Sequence, residues 1–123
     1  MTSYDVVYTN EVDELKKLCP TSFRFVLADT SKVFIDYWCD LLFLDTKHTY
    51  AQLLCELTHN CKMVKKWILV HDVVLYGDRG EDDGPGLLAA IEDFLEYNKS
   101  WCLYSIHPQS NGLAVLSRVA KHE

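Results

Sequence analysis

Basic residues are scarce in this chain: twelve Lys and Arg stand against eighteen Asp and Glu, which leaves a net charge of −6 and a pI near 5.3. Non-specific nucleic-acid affinity comes mostly from Lys and Arg neutralising phosphates, so nucleic acid is not an expected partner. Long apolar runs are missing as well. None approaches the roughly 20 residues of a helical membrane span, and no N-terminal stretch joins a basic flank to an apolar centre. Neither a membrane partner nor a secretory signal is expected. Cysteine pairs at CxxC spacing are absent: Cys19, Cys39, Cys55, Cys61 and Cys102 are odd in number and mostly fall within apolar patterns, where cysteine acts as a small hydrophobe. Structural thiols in a reduced, cytoplasmic setting follow as the expectation. The one glycine-rich stretch, "GDRGEDDGPG" at residues 77–86, lacks the lysine and the serine or threonine of a P-loop and has the wrong charge for an anion. Internal repeats and low-complexity tracts are absent too.

Well-patterned hydrophobicity is present throughout. Hydrophobic residues make up 49% of the 123, enough for one self-folding domain and too few for two. "YDVVY" (4–8) reads as a strand, and Asn10 can cap a helix over "EVDELKKL", whose acidic first turn suits the helix dipole; Pro20 stops it. "FRFVLA" (23–28) is a second strand leading to Asp29, "DLLFL" (40–44) a third leading to Asp45, and "WILVH" (67–71) a fourth running into Asp72. Between the third and fourth, Tyr50, Leu53, Leu54, Leu57, Cys61 and Val64 recur at the spacing of one helix face. A second helix begins near Gly84 and Pro85 and aligns Leu88, Ile91, Phe94 and Leu95. Near-continuous apolar strands separated by helices predict burial on both faces. The expected class is therefore α/β, with a mostly parallel sheet, helices on its faces and right-handed crossovers. "WCLYSIH" and "LAVLSRV", joined by "PQSNG" with its Asn111-Gly112 turn, add a C-terminal antiparallel hairpin.

Open parallel sheets bind ligands beyond the carboxyl ends of their strands, where Asp29, Asp45 and the His71-Asp72 pair all fall. Neighbouring strands lie about 5 Å apart, so Asp45 and Asp72 can meet on one hard cation. Carboxylate oxygen suits magnesium, calcium or manganese, and an added imidazole pulls the preference towards manganese, iron or zinc. His71 or His48 can ligate it or take a substrate proton. Two carboxylates sharing a site repel, so without metal one pKa is expected to rise. Taken singly, each aspartate reads equally well as a helix cap, and His48 as a surface residue at a helix start. Trp38, Trp67 and Trp101 suit core or sheet-edge positions, Glu81, Asp82 and Asp83 a solvated loop face, and His59, His107 and His122 receive no role.

In order, these strand ends, the glycine-acid loop and the hairpin resemble the C-terminal portion of class I S-adenosylmethionine-dependent methyltransferases. The likeness is to small-molecule and sugar O-methyltransferases of the macrocin O-methyltransferase and cephalosporin hydroxylase group. It covers roughly residues 23 to 118 and rests on "DLLFLDTKHTY", "WILVHD", "GLLAAIEDFL" and the closing "GLAVLSR". The resemblance implies a Rossmann-like fold, a small-molecule hydroxyl as acceptor, and two cofactors: S-adenosylmethionine and a divalent cation, magnesium or manganese. It assigns the metal to Asp45 and Asp72 with His71, the adenine end of the cofactor to Asp29, and proton acceptance to His48 or His71. Only three residues precede "YDVVYTN", so the family's first strand and glycine-rich cofactor loop have no counterpart, a truncation at the N-terminus. Thr9 and Asn10 occupy the place of the acid that holds the ribose. The sheet edge left by that truncation invites pairing, so a homo-oligomer is expected.

Two other readings compete. One is a shortened, non-catalytic relative that serves as a binding or assembly module. The other is a receiver domain phosphorylated at Asp45, which needs an acidic pair after the first strand and a lysine after the last; "YTNEVD" and His71-Asp72 stand there instead.

Overall fold

Helices and strands form where the apolar period changes. The computed structural model describes residues 1–119. It runs β1 (Thr2–Asp5), α1 (Asn10–Leu18), β2 (Arg24–Leu27), β3 (Cys39–Leu44), α2 (Tyr50–Asn60), β4 (Val64–His71), α3 (Leu87–Tyr97), β5 (Trp101–His107) and β6 (Leu113–Arg118). Single 3-10 turns occupy Thr30–Lys32 and Cys61–Met63. β1 ends earlier than its apolar run suggests because the Asp5 carboxylate accepts from the backbone N–H groups of Val6 (2.7 Å) and Val7 (3.3 Å) and turns the chain. Thr9, not Asn10, stands at the cap position of α1, and Asn10 is the first helical residue. His122 lies outside the described residues.

The mostly parallel, Rossmann-like sheet does not form. Two sheets do: a two-stranded parallel pair β1-β2, and a four-stranded sheet in the order β3-β4-β6-β5. In the larger sheet β3 and β4 are parallel, but β4 pairs antiparallel with β6 and β6 with β5. The cause is the hairpin. Its return strand β6 takes the second edge of β4, while the far edge of β3 pairs with no strand among the described residues, which leaves β1-β2 apart.

Helices cover one face only. Val64, Ile68 and Val70 of β4 and Ala114 and Leu116 of β6 pack with Leu53 and Leu57 of α2 and with Leu87, Ala90, Ile91 and Phe94 of α3. Each fully buried large apolar side chain contributes about 1.5–3 kcal/mol, so this layer is the main source of stability. The alternate residues point the other way, where Leu41, Phe43 and Tyr104 are exposed and Trp67 meets Tyr104 edge to face at 5.4 Å. Burial on both faces, expected from the apolar strands, is therefore corrected too. Among the described residues no helix is long and apolar enough to cross a membrane.

The hairpin turn does more than reverse the chain. Ser110, Asn111 and Gly112 all have positive φ, at 52°, 71° and 98°. The Asn111 carbonyl accepts from Val74 N (2.9 Å) and Leu75 N (3.1 Å), and the Gly112 carbonyl from Asp72 N (2.8 Å). A Cβ on Gly112 would lie 2.6 Å from the backbone nitrogen of Val74, so only glycine permits this approach. The turn thereby grips the segment that leaves β4.

Candidate metal centre

Parallel pairing of Leu44 with Val70 brings Asp45 and His71 out of the sheet side by side. Asp72 follows with φ 64°, a left-handed conformation that aspartate tolerates better than most residues, fixed by its bond to the hairpin turn. Donor atoms of Asp45, His71 and Asp72 all lie within 4.8 Å of one another. His71 Nδ1 is 3.7 Å from Asp45 Oδ1 and 3.2 Å from Asp72 Oδ2. Ligands about 2.1 Å from one octahedral ion sit roughly 3 Å apart when adjacent, so the three groups need little movement to share a cation. At 3.2 Å from Asp72 the His71 Nδ1 is still off the line of a hydrogen bond, and this buried nitrogen has no hydrogen-bond partner. A buried polar atom left unpaired is costly, and a cation between the carboxylates would satisfy it.

His48 completes the cluster. Its Nε2 lies 2.8 Å from Asp72 Oδ2 and 4.0 Å from Asp45 Oδ1. Its ring stacks on Tyr76, 4.4 Å between centroids, and Glu81 grips it from the loop before α3. Glu81 N donates to the His48 carbonyl (2.8 Å), Glu81 Oε1 accepts from His48 N (3.1 Å), and Oε2 lies 3.7 Å from Nδ1. Burial alone would raise the Asp72 pKa, but the His71 and His48 imidazoles outweigh it and hold the carboxyl below its ordinary value. Asp72 is therefore not a carboxyl whose pKa rises, because the two imidazoles outweigh its burial.

The helix-cap alternative now divides the aspartates. Thr49 caps α2, accepting from Gln52 N at 3.2 Å, and Gly86 stands at the cap of α3, so neither Asp45 nor Asp72 has that task. Asp29 does cap: its Oδ1 accepts from Ser31 N (3.0 Å) and Ser31 Oγ (2.7 Å), and these bonds lower its pKa. Asn10 lies exposed in the first turn of α1. The structure thus brings Asp45, His48, His71 and Asp72 together and leaves Asn10 and Asp29 elsewhere. Glu81 and Tyr76 were hidden in the sequence, one among loop acids and one in an apolar run; the spacing of Tyr76 four residues after Asp72 was the available clue.

Glu56 was hidden too. It sits on the buried face of α2, 1% exposed, and its carboxylate accepts from Thr30 Oγ1 and from Thr46 Oγ1 (2.7 and 2.8 Å), tying the chain after β3 to the helix. An acid within the helix's apolar stripe was its signal. Burial raises its pKa above 4.5, against the lowering effect of the threonine bonds. A raised folded pKa means the native state holds the proton more tightly than the unfolded chain. The associated stability is therefore full below the unfolded pKa and lost as pH rises through the folded value. Lowering pH from 7 towards 5 is expected to raise the urea midpoint of the metal-free chain, and Glu56→Gln should remove that trend. A wild-type trend that survives in the variant would assign it to another group.

A cleft of about 600 Å³ opens between β1 and β3, lined by Tyr4, Asp5, Thr30, Asp45, Thr46 and Glu56 among others. Neither Asn10 nor Asp29 lines it, so the residues that the resemblance assigns to S-adenosylmethionine do not fit a cofactor held there. The donor set of Asp45, His71 and Asp72, by contrast, two carboxylates and an imidazole, could hold a divalent metal ion. No protein-family model matches this chain, and no curated protein matches it. The likeness to methyltransferases therefore rests on the ordered strand-end motifs.

Proposed function

We propose that this protein is a methyltransferase-like domain that holds magnesium or manganese at Asp45, His71 and Asp72 and, through the cation, a small-molecule hydroxyl for O-methyl transfer. The observation that carries the reading is the unpartnered Nδ1 of His71, buried between two carboxylates at adjacent strand ends. A divalent cation in this position supplies Lewis acidity, which lowers the pKa of a coordinated hydroxyl. The protein's own residues do the rest. His48 is the base of this proposal: its Nε2, 2.8 Å from Asp72 Oδ2, carries its hydrogen toward that carboxylate, which leaves Nδ1 to accept the proton, and Asp72 stabilises the imidazolium that results. Tyr76 and Glu81 keep the ring from turning away.

S-adenosylmethionine enters this proposal from the resemblance, and no step is assigned to it. The placement of Asn10 and Asp29 outside the cleft favours a second reading, a non-catalytic relative that binds a cation and a small molecule without transferring a methyl group. Calorimetric titration separates the two. Saturable binding of S-adenosylmethionine that strengthens with magnesium supports transfer. Cation binding with no cofactor heat at millimolar concentration overturns transfer and leaves the binding module. Homo-oligomer formation belongs to the same proposal, and light scattering across micromolar concentrations tests it.

A further inference from the structure

We propose that the cleft between β1 and β3 takes an extended, apolar peptide strand from another polypeptide, which pairs with both free strand edges. Among the described residues β1 pairs only with β2 and β3 only with β4, so each has one edge without a partner there. Those two edges face the same cleft. One wall is made by the consecutive residues from Met1 to Asp5, the other by the run from Leu41 to Thr46. Successive side chains of a strand point to opposite faces, so a wall of consecutive residues is a backbone edge rather than a side-chain surface. Each edge offers N–H and C=O groups from alternate residues. The carbonyls of Met1 and Asp5 accept from Arg24 N and Ala28 N on the edge that faces β2, and among the described residues no loop hydrogen bond reaches the backbone of Thr2–Tyr4 or Leu41–Leu44.

Size and chemistry then choose the occupant. A strand takes about 4.8 Å between its neighbours, about 10 Å between packed layers and about 3.3 Å per residue, roughly 160 Å³ per residue. A cleft of about 600 Å³ thus matches about four residues, and β1 is four residues long. Leu15, Phe23, Val33 and Ile35 also line the space, so apolar side chains suit it. A small molecule could fill the volume, but it could not pair with two rows of backbone groups at once. β3 also lacks the proline or lysine with which exposed edges commonly resist pairing; Asp40 is its only charge. A strand in this place would join the two- and four-stranded sheets into one. The inference rests on strand edges alone and stands or falls apart from the cation site.

A fused strand is a direct probe. The segment Val-Thr-Val-Val-Ile is placed ahead of Met1 on a Gly-Ser linker of about twelve residues, which spans roughly 20 Å. One control replaces alternate residues of the segment by proline, and another carries linker alone. Amide exchange at those residues of Thr2–Asp5 and Leu41–Leu44 whose N–H faces the cleft is expected to slow by about tenfold with the strand and with neither control. The β4 and β6 amides report that each version remains folded. Unchanged exchange at both edges in folded protein overturns the proposal. Slow exchange at Leu41–Leu44 in the unfused chain that fades on dilution overturns it differently, because a second copy would then occupy the cleft.

Discussion

Manganese is expected to raise the melting temperature of the natural chain by roughly 10 °C when the free ion stands a hundredfold above its dissociation constant. Mass action supplies about 2.7 kcal/mol under that condition, and a domain of this size converts each kcal/mol into about 4 °C. The gain arises because the cation binds three groups that only the folded chain brings within 4.8 Å of one another. Asp72→Asn tests the assignment. Asparagine tolerates the left-handed backbone at φ 64°, so the fold survives, but a negatively charged ligand is lost. Most of the rise should disappear while the circular dichroism spectrum holds. The metal-free chain needs its own control, since the Asp72 pKa is depressed: its stabilising effect is present above the unfolded pKa and lost as pH falls through the folded one. Melting is therefore compared at pH 7, where that contribution is complete. An equal manganese response in the variant and the natural chain would place the cation elsewhere.

Gly112→Ala is expected to cost about 3 kcal/mol, because it combines a φ of 98° that L-residues rarely adopt with a methyl group 2.6 Å from Val74 N. Both atoms in that clash are held, one by the hairpin and one by the segment it grips. Denaturant midpoints with unchanged slopes give the number. The variant should also lose affinity for manganese, since Asp72 N donates to the Gly112 carbonyl and a displaced turn moves the carboxylate. Gly112→Asn sharpens the comparison. Asparagine accepts positive φ but brings the same Cβ, so a cost close to that of alanine identifies contact with Val74 as the cause, and a loss below 1 kcal/mol in both would refute the clamp.

The strand ends were legible because they depend on short-range pattern. "DLLFL" and "WILVH" carry enough apolar residues in a row to announce β3 and β4, and a helix between them makes a parallel pair the natural result. Asp45, His71 and Asp72 then meet by register, with Leu44 opposite Val70. Asn111-Gly112 announced the hairpin by its backbone demands alone. Which strand lies beside which is a different kind of information. Nothing in "LAVLSRV" states that it returns against β4, and nothing in "FRFVLA" states that β2 stays clear of β3. The same apolar run reads as doubly buried or as half exposed, which is why Leu41 and Phe43 were misjudged. Glu81 was unreadable for another reason: its grip on His48 depends on a loop bond between residues 33 positions apart.

The separate β1-β2 sheet has a consequence for cooperativity. Its flanking segment buries only Val12 and Phe23 among its apolar side chains, each 8% exposed, and neither belongs to the main core cluster. So small a buried surface sets a low free energy for opening residues 1–28 as a unit while the larger sheet stays intact. All three tryptophans, Trp38, Trp67 and Trp101, lie beyond that segment. The fluorescence of Trp67 in β4 and Trp101 in β5 follows the loss of the four-stranded layer, whereas far-ultraviolet dichroism also records α1 as it unravels. Two probes of one sample then trace two transitions, and a single unfolding free energy describes only the second.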